Sequence, residues 1–354
     1  MGDTFRAGTL RRLNQLLGVI AEQSRAGEQG RVKARFKLAS PAIPSAARPA
    51  ARPAARACHL DRRTKPSREF VSRPRSRPLD SGAMHAIPAD PSRSLLGHLR
   101  VGSGPRPVVV LHEWLADHRN YAAMTGWLDG GRFTWILADL RGYGLSRDLP
   151  GDFTAAEASA DVLRLMDGLG HRRFDLVGHS MSGMIAQRVA LDAPERVGRL
   201  VLISPVPPSG FRADAATLDR MAALIHDDVA AREAIAARTG HRYGAVWLDR
   251  KLALLRSSAR PEAMRGYLRM FTGTDFAAQA AGLPLPILAL LGEHDIEPYR
   301  EPRIRAALEP LYPALAVRVC REAGHYMMLE APVFTASSID AALDAAGPPE
   351  GDTP

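Results

Sequence analysis

From about residue 94 onward the chain alternates short apolar runs with stretches whose apolar residues recur every three or four positions. The runs Leu95–Val101, Val108–Leu111, Trp135–Ala138, Phe174–Val177, Leu200–Ile203, Ile287–Leu291 and Ala316–Val319 predict strands. The stretches 117–128, 154–168, 181–192, 300–309 and 333–345 predict helices. The second of these opens on "TAAE" (Thr154 to Glu157), a capping box that satisfies two orphan backbone donors at once. Strands alternating with helices predict an α/β fold, a mostly parallel central sheet flanked by helices on both faces. The alternation breaks once. Between Pro205 and Leu283 only helical patterns occur, at 214–226, 228–238, 243–258 and 261–271. Residues 84–204 and 284–347 are therefore expected to form the core, and 205–283 an inserted helical lid over the carboxyl ends of the strands, where open α/β sheets bind ligands.

The first 83 residues have a different character. "PAIPSAARPAARPAARA" and "SRPRSRPLDSG" are Pro/Arg/Ala tracts with too little apolar surface to offset the entropy of ordering the backbone. We expect a disordered extension or a start codon assigned too early, since Met84 opens a natural-looking beginning. A targeting segment and a basic nucleic-acid or membrane-binding arm are the alternatives. This segment holds 18 of the 47 Lys and Arg and 6 of the 38 Asp and Glu, a net +12, whereas residues 84–354 carry 29 against 32, a net −3. The overall charge of +9 is thus confined to one end. The body has no electrostatic footprint for nucleic acid. No apolar run has the length of a membrane span, so no membrane partner is expected and the location is read as cytoplasmic. Cys58 and Cys320 make neither a disulfide framework nor a metal-ligand spacing. Nothing in the sequence speaks to oligomeric state.

Five segments carry chemistry. In "FDLVGHSMSGMIAQRVALDAPERV" (174–197) Ser180 stands between a strand pattern and a helix pattern, among residues with little or no side chain. "VVVLHEWLADHRNY" (108–121) and "DLRGYGLS" (139–146) follow earlier strands. "PILALLGEHDIEPY" (286–299) and "CREAGHYMMLEAP" (320–332) follow late ones. Taken in order, these segments resemble the α/β-hydrolase fold superfamily, in its serine-nucleophile, esterase- and lactonase-like branch, from about residue 94 to 345. Gly178-His179-Ser180-Met181-Ser182 is similar to the nucleophile elbow G-x-S-x-G, with serine for the last glycine. The resemblance implies a catalytic triad of Ser180, Asp295 and His325, and an oxyanion hole from the backbone amides of Trp114 and Met181. It implies no cofactor and no metal. His112, His179 and His294 fall at variable positions and are read as scaffold. Asp139 and Arg141 are read as a structural ion pair and turn.

The pattern departs from the family at Glu113, which stands where glycine is usual beside the oxyanion hole. An ionised, inward-facing carboxylate there would oppose the oxyanion. Glu113, Trp247, Met270 and Phe271 are the candidate pocket residues. The expected function is hydrolysis of a small, mostly uncharged carboxylic ester, thioester or lactone through an acyl-enzyme. Haloalkane dehalogenases and epoxide hydrolases of this fold use aspartate at the elbow, and Ser180 argues against both. The alternatives are a small-molecule receptor on the same scaffold with little turnover, a C–C bond hydrolase, or a haloperoxidase-like enzyme.

Overall fold

The computed structural model describes residues 84–90 and 95–344. The expectations for residues 1–83 lie outside these residues, as does the end of the core range beyond 344.

Eight strands form one sheet in the order β1-β2-β4-β3-β5-β6-β7-β8. They are β1 (His85–Ile87), β2 (His98–Val101), β3 (Arg106–Leu111), β4 (Phe133–Ala138), β5 (Phe174–His179), β6 (Val197–Ile203), β7 (Ile287–Gly292) and β8 (Leu315–Cys320). β1 and β2 run antiparallel to their neighbours, and every pairing from β4 through β8 is parallel. The central strands read as unbroken apolar runs because both faces are covered: β4 and β5 are buried at every position.

Helices α1 (Ala155–Gly168), α2 (Met181–Asp192), α8 (Glu301–Leu308) and α10 (Pro332–Asp344) fall where periodicity placed them. Thr154 caps α1 by accepting from the Glu157 amide, and Glu157 returns a carboxylate to the Phe153 amide. Between β6 and β7 lie α3 (Ala215–Ala223), α4 (Asp228–Ala237), α5 (Ala245–Ser258), α6 (Pro261–Gly273) and the single turn α7 (Ala277–Ala280). The short α9 (Met327–Glu330) follows β8.

Three expectations need correction. Residues 117–128 form two short 3₁₀ turns, His118–Tyr121 and Thr125–Trp127, instead of an α-helix. Here the Asp117 carboxylate takes the Arg119 amide and guanidinium, and Tyr121 is anchored by its hydroxyl to the Leu111 carbonyl. Strand β1 was missed because its three residues are exposed and too few to show a period. Asp139 and Arg141 do not pair with each other. Asp139 accepts from His118 and from the Leu145 amide, while Arg141 forks onto Asp161 and reaches the Pro150 carbonyl.

Candidate active site

Ser180 sits between the end of β5 and the start of α2 with φ 55° and ψ −116°, a left-handed conformation that costs a non-glycine residue about 1–3 kcal/mol. The surroundings hold it there. Its amide donates to the Ile203 carbonyl, and its carbonyl accepts from the amides of Gly183 and Val206. Gly178 has no room for a side chain, since a Cβ would lie 2.4 Å from the Ser182 carbonyl oxygen. Ser182 donates its hydroxyl to the His112 carbonyl, which ties the turn to the loop after β3.

Asp295 and His325 come from the loops after β7 and β8. These loops touch: a Cβ on Gly292 would lie 2.0 Å from the Gly324 carbonyl oxygen, so the glycines allow the approach. His325 Nδ1–H donates to Asp295 Oδ2 at 2.6 Å, which leaves Nε2 as the ring's acceptor. Both residues are buried, and the other Asp295 oxygen accepts from the Ile296 amide at 2.7 Å. Glu330 accepts from the amides on either side of His325, those of Gly324 and Tyr326. The His325 amide donates to the Arg238 carbonyl at 2.8 Å, at the end of α4. His179 donates its Nε2–H to the His325 carbonyl at 2.9 Å, and burial holds its pKa well below the usual range, so it stays neutral.

Tyr299 links this pair to the serine. Its ring lies 4.7 Å from that of His325. Burial pushes its phenol up to about 12 against the opposing charge of Arg238 and a contact with the Ser180 hydroxyl.

On the other side of Ser180 the loop after β3 carries Glu113 and Trp114. The Trp114 amide has no acceptor among the described residues, and Met181 opens α2, where first-turn amides have no intrahelical partner. The Trp114 indole donates to the Met264 carbonyl in α6. Glu113 points inward and is ionised. Burial pushes its pKa up, but Lys251 from α5 outweighs that and holds it down to about 2. The Lys251 ammonium lies 2.5 Å from Glu113 Oε1, 3.0 Å from Asn120 Oδ1 and 4.4 Å above the Tyr326 ring. Glu113 Oε2 takes the Leu115 amide. The carboxylate beside Trp114 is thus neutralised by a lysine that is equally buried.

A cavity of about 10 Å³ opens at Ser180, room for roughly one water molecule. Ser180, Met181, Glu113, Trp114 and Phe271 line it, joined by Leu115, Val206, Met221, Arg238 and Tyr299. Trp247 and Met270 do not line it. Trp247 stacks on Tyr243 at 4.7 Å, and Met270 is packed in the core. A wider groove of about 240 Å³ lies at the opposite, amino ends of β6 and β7, lined by Arg199, Pro286 and Ala314, and carries none of this chemistry. Asp117, His118 and Asp139 offer three ligand-type atoms within 4.8 Å of one another, but Arg119 and the pairing of His118 with Asp139 already engage them.

Sequence reasoning missed Lys251, Arg238 and Tyr299. One signal was available for the first: Lys251 is the sole lysine between residue 84 and the C-terminus, in a body that otherwise uses arginine.

The family profile described as the alpha/beta hydrolase fold matches residues 106–295, more than half of the chain. A curated relative, the dihydrolipoyllysine-residue acetyltransferase component of the acetoin cleaving system of Cupriavidus necator, is 35% identical over 31% of this chain and 29% of its own length. The pimeloyl-[acyl-carrier protein] methyl ester esterase of Nitrosomonas europaea is 29% identical over 55% of this chain and 79% of its own. The alignments to several of the relatives span only 29–41% of those proteins' lengths. Among solved structures, an esterase from Exiguobacterium antarcticum superposes with a TM-score of 0.61 at 22% identity, covering 74% of this chain and all of that one. At that identity the likeness is one of fold.

Proposed function

Because the chain belongs to the α/β-hydrolase fold family, we propose that it is a serine hydrolase that cleaves a small carboxylic ester or thioester through an acyl-enzyme, with Ser180, His325 and Asp295 as its triad. The observation that carries this reading is the buried His325–Asp295 hydrogen bond of 2.6 Å, joined through Tyr299 to a serine fixed at positive φ. Asp295 fixes the tautomer that leaves His325 Nε2 as a base. Ser180 attacks the carbonyl carbon while His325 takes its proton. The carbonyl oxygen, now an anion, rests on the amides of Trp114 and Met181. Collapse expels the leaving group with that proton. Water, deprotonated by His325, then attacks the acyl carbon and frees the acid and Ser180.

Lys251 gives Glu113 its role in this reading. With its charge matched, Glu113 does not oppose the oxyanion. Its hold on the Leu115 amide shapes the loop that presents the Trp114 N–H. The helices between β6 and β7 act as the lid, since Met221, Arg238 and Phe271 close the cavity over Ser180. They must move for a substrate to enter.

Hydrolysis of a short-chain aryl ester by the full chain, against the same protein with Ser180→Ala, tests the assignment. Turnover that vanishes in the variant is expected. Equal, trivial turnover in both would favour a ligand receptor on the same scaffold.

A further inference from the structure

The cavity at Ser180 has two charged residues in its wall, and they are not equivalent. Glu113 is matched by Lys251. Arg238 has no carboxylate within ion-pair distance among the described residues. Its only side-chain hydrogen bond runs from Nη1 to the Ala234 carbonyl at 3.0 Å. A guanidinium has five N–H donors, so most of this fork is uncommitted. Capping the end of α4 takes one donor and does not account for the rest.

Its placement is fixed. The Arg238 carbonyl accepts the His325 amide, and a Cβ on Gly324 would come within 2.3 Å of that same oxygen. Burial disfavours the charge of Arg238, but the nearby carboxylates of Asp295 and Glu113 favour it and the guanidinium stays cationic. Arg238 is half-buried in the wall of a small cavity whose lining is polar as well as apolar, and its free donors have no close counter-ion there among the described residues. A ligand that brings an anion into the cavity would engage them, and a planar fork suits a carboxylate best.

We propose that Arg238 is a specificity residue that forms an anion subsite of this cavity, and that the substrate is an ester or thioester whose acyl part ends in a carboxylate. This rests on the hydrolase reading above and replaces the expectation of an uncharged substrate. The scissile carbonyl lies at Ser180, and the far carboxylate is held by the guanidinium.

The test uses the full chain. The kcat/KM values for the monoethyl esters of succinic, glutaric and adipic acids are compared with those for ethyl butyrate, valerate and hexanoate, following acid release in a pH-stat. The wild type should prefer at least one anionic ester over its neutral match by about 10- to 150-fold, the range for hydrogen bonds to a charged group. In Arg238→Met that ratio should fall to about one, through KM. Arg238→Lys should restore part of it, because a point charge lacks the fork. No preference in the wild type, or a preference that survives Arg238→Met, would overturn the proposal.

A second arm needs no turnover. Ser180→Ala protein, titrated by tryptophan fluorescence, should bind monomethyl glutarate at least about tenfold more tightly than dimethyl glutarate, and lose that difference when Arg238→Met is added. Equal binding of the two would sink the subsite. A binding preference without any wild-type turnover would uphold the subsite and refute the hydrolase reading instead.

Discussion

Two buried carboxylates flank Ser180, and their partners set them apart. Asp295 is bound to the imidazole of His325, and Glu113 to the ammonium of Lys251. Both contacts are short and both pairs are sealed from solvent. An imidazole can take and return a proton near neutral pH, so in the proposed mechanism the carboxylate that orients it takes part in chemistry. Burial pushes the Lys251 ammonium down and the Glu113 carboxylate, itself held down to about 2, opposes that, so the pair acts as a fixed ionic joint between α5 and the loop after β3. The same acid thus serves as orienting group on one side and anchor on the other. Which role it takes depends on the residue that the chain folds against it.

Breaking the catalytic side should give the largest effects. Ser180→Ala should lower kcat for a short aryl ester by about 10⁶-fold, since the triad acts as a unit. Asp295→Asn should cost about 10⁴-fold, because the amide favours the wrong imidazole tautomer. Steady-state kinetics on purified protein check both. If Asp295→Asn cost no more than a few-fold, the contrast between the two acids would be lost.

Breaking the anchoring side should act on stability. Lys251→Met leaves Glu113 charged and buried without its partner and should destabilise the fold by about 3–5 kcal/mol, read from the urea midpoint. Adding Glu113→Gln should recover most of that loss, because the remaining cost is one of packing. A double variant as unstable as Lys251→Met would mean that the ion pair is not the source.

The anchor should also be sensitive to acid. The pKa of Glu113 in the folded protein, about 2, lies below its ordinary 4.5, so the unfolded chain binds the proton more readily. Its stabilisation is therefore complete above about pH 4.5 and is lost as the pH falls through 2, up to about 3 kcal/mol. Denaturation midpoints followed from pH 6 to pH 3 should show this component in the wild type, and the Glu113→Gln/Lys251→Met double variant should lack it.

The smallest effect is expected at Tyr299. Tyr299→Phe keeps the ring beside His325 but removes the hydroxyl near Ser180, and should change kcat/KM by about 2- to 10-fold.

The legibility of these features follows the sheet. β3 through β7 were readable because a strand covered on both faces leaves a continuous apolar run, whereas the edge strand β8, half-buried and exposed by turns, showed only the short run Ala316–Val319. Ser180, Asp295 and His325 were named from the resemblance of their segments to the family's motifs, and parallel strand order brings the ends that carry those segments to one edge of the sheet. The contributions of the insertion were not. Its helices could be counted from periodicity, but that pattern says which face is apolar, not which end reaches the cavity. Met221 and Phe271 line the cavity, whereas Trp247 and Met270, equally plausible from spacing, do not. Glu113 was visible as a departure, but its inward direction and its partner, 138 residues away, belong to tertiary packing.

The most direct test of the central claim is to trap the nucleophile. An organophosphonate ester should modify the full chain once, and peptide mass spectrometry should place the adduct on Ser180. The rate of labelling should collapse in His325→Ala. An adduct on another residue, or labelling of Ser180 at an undiminished rate without His325, would contradict the account.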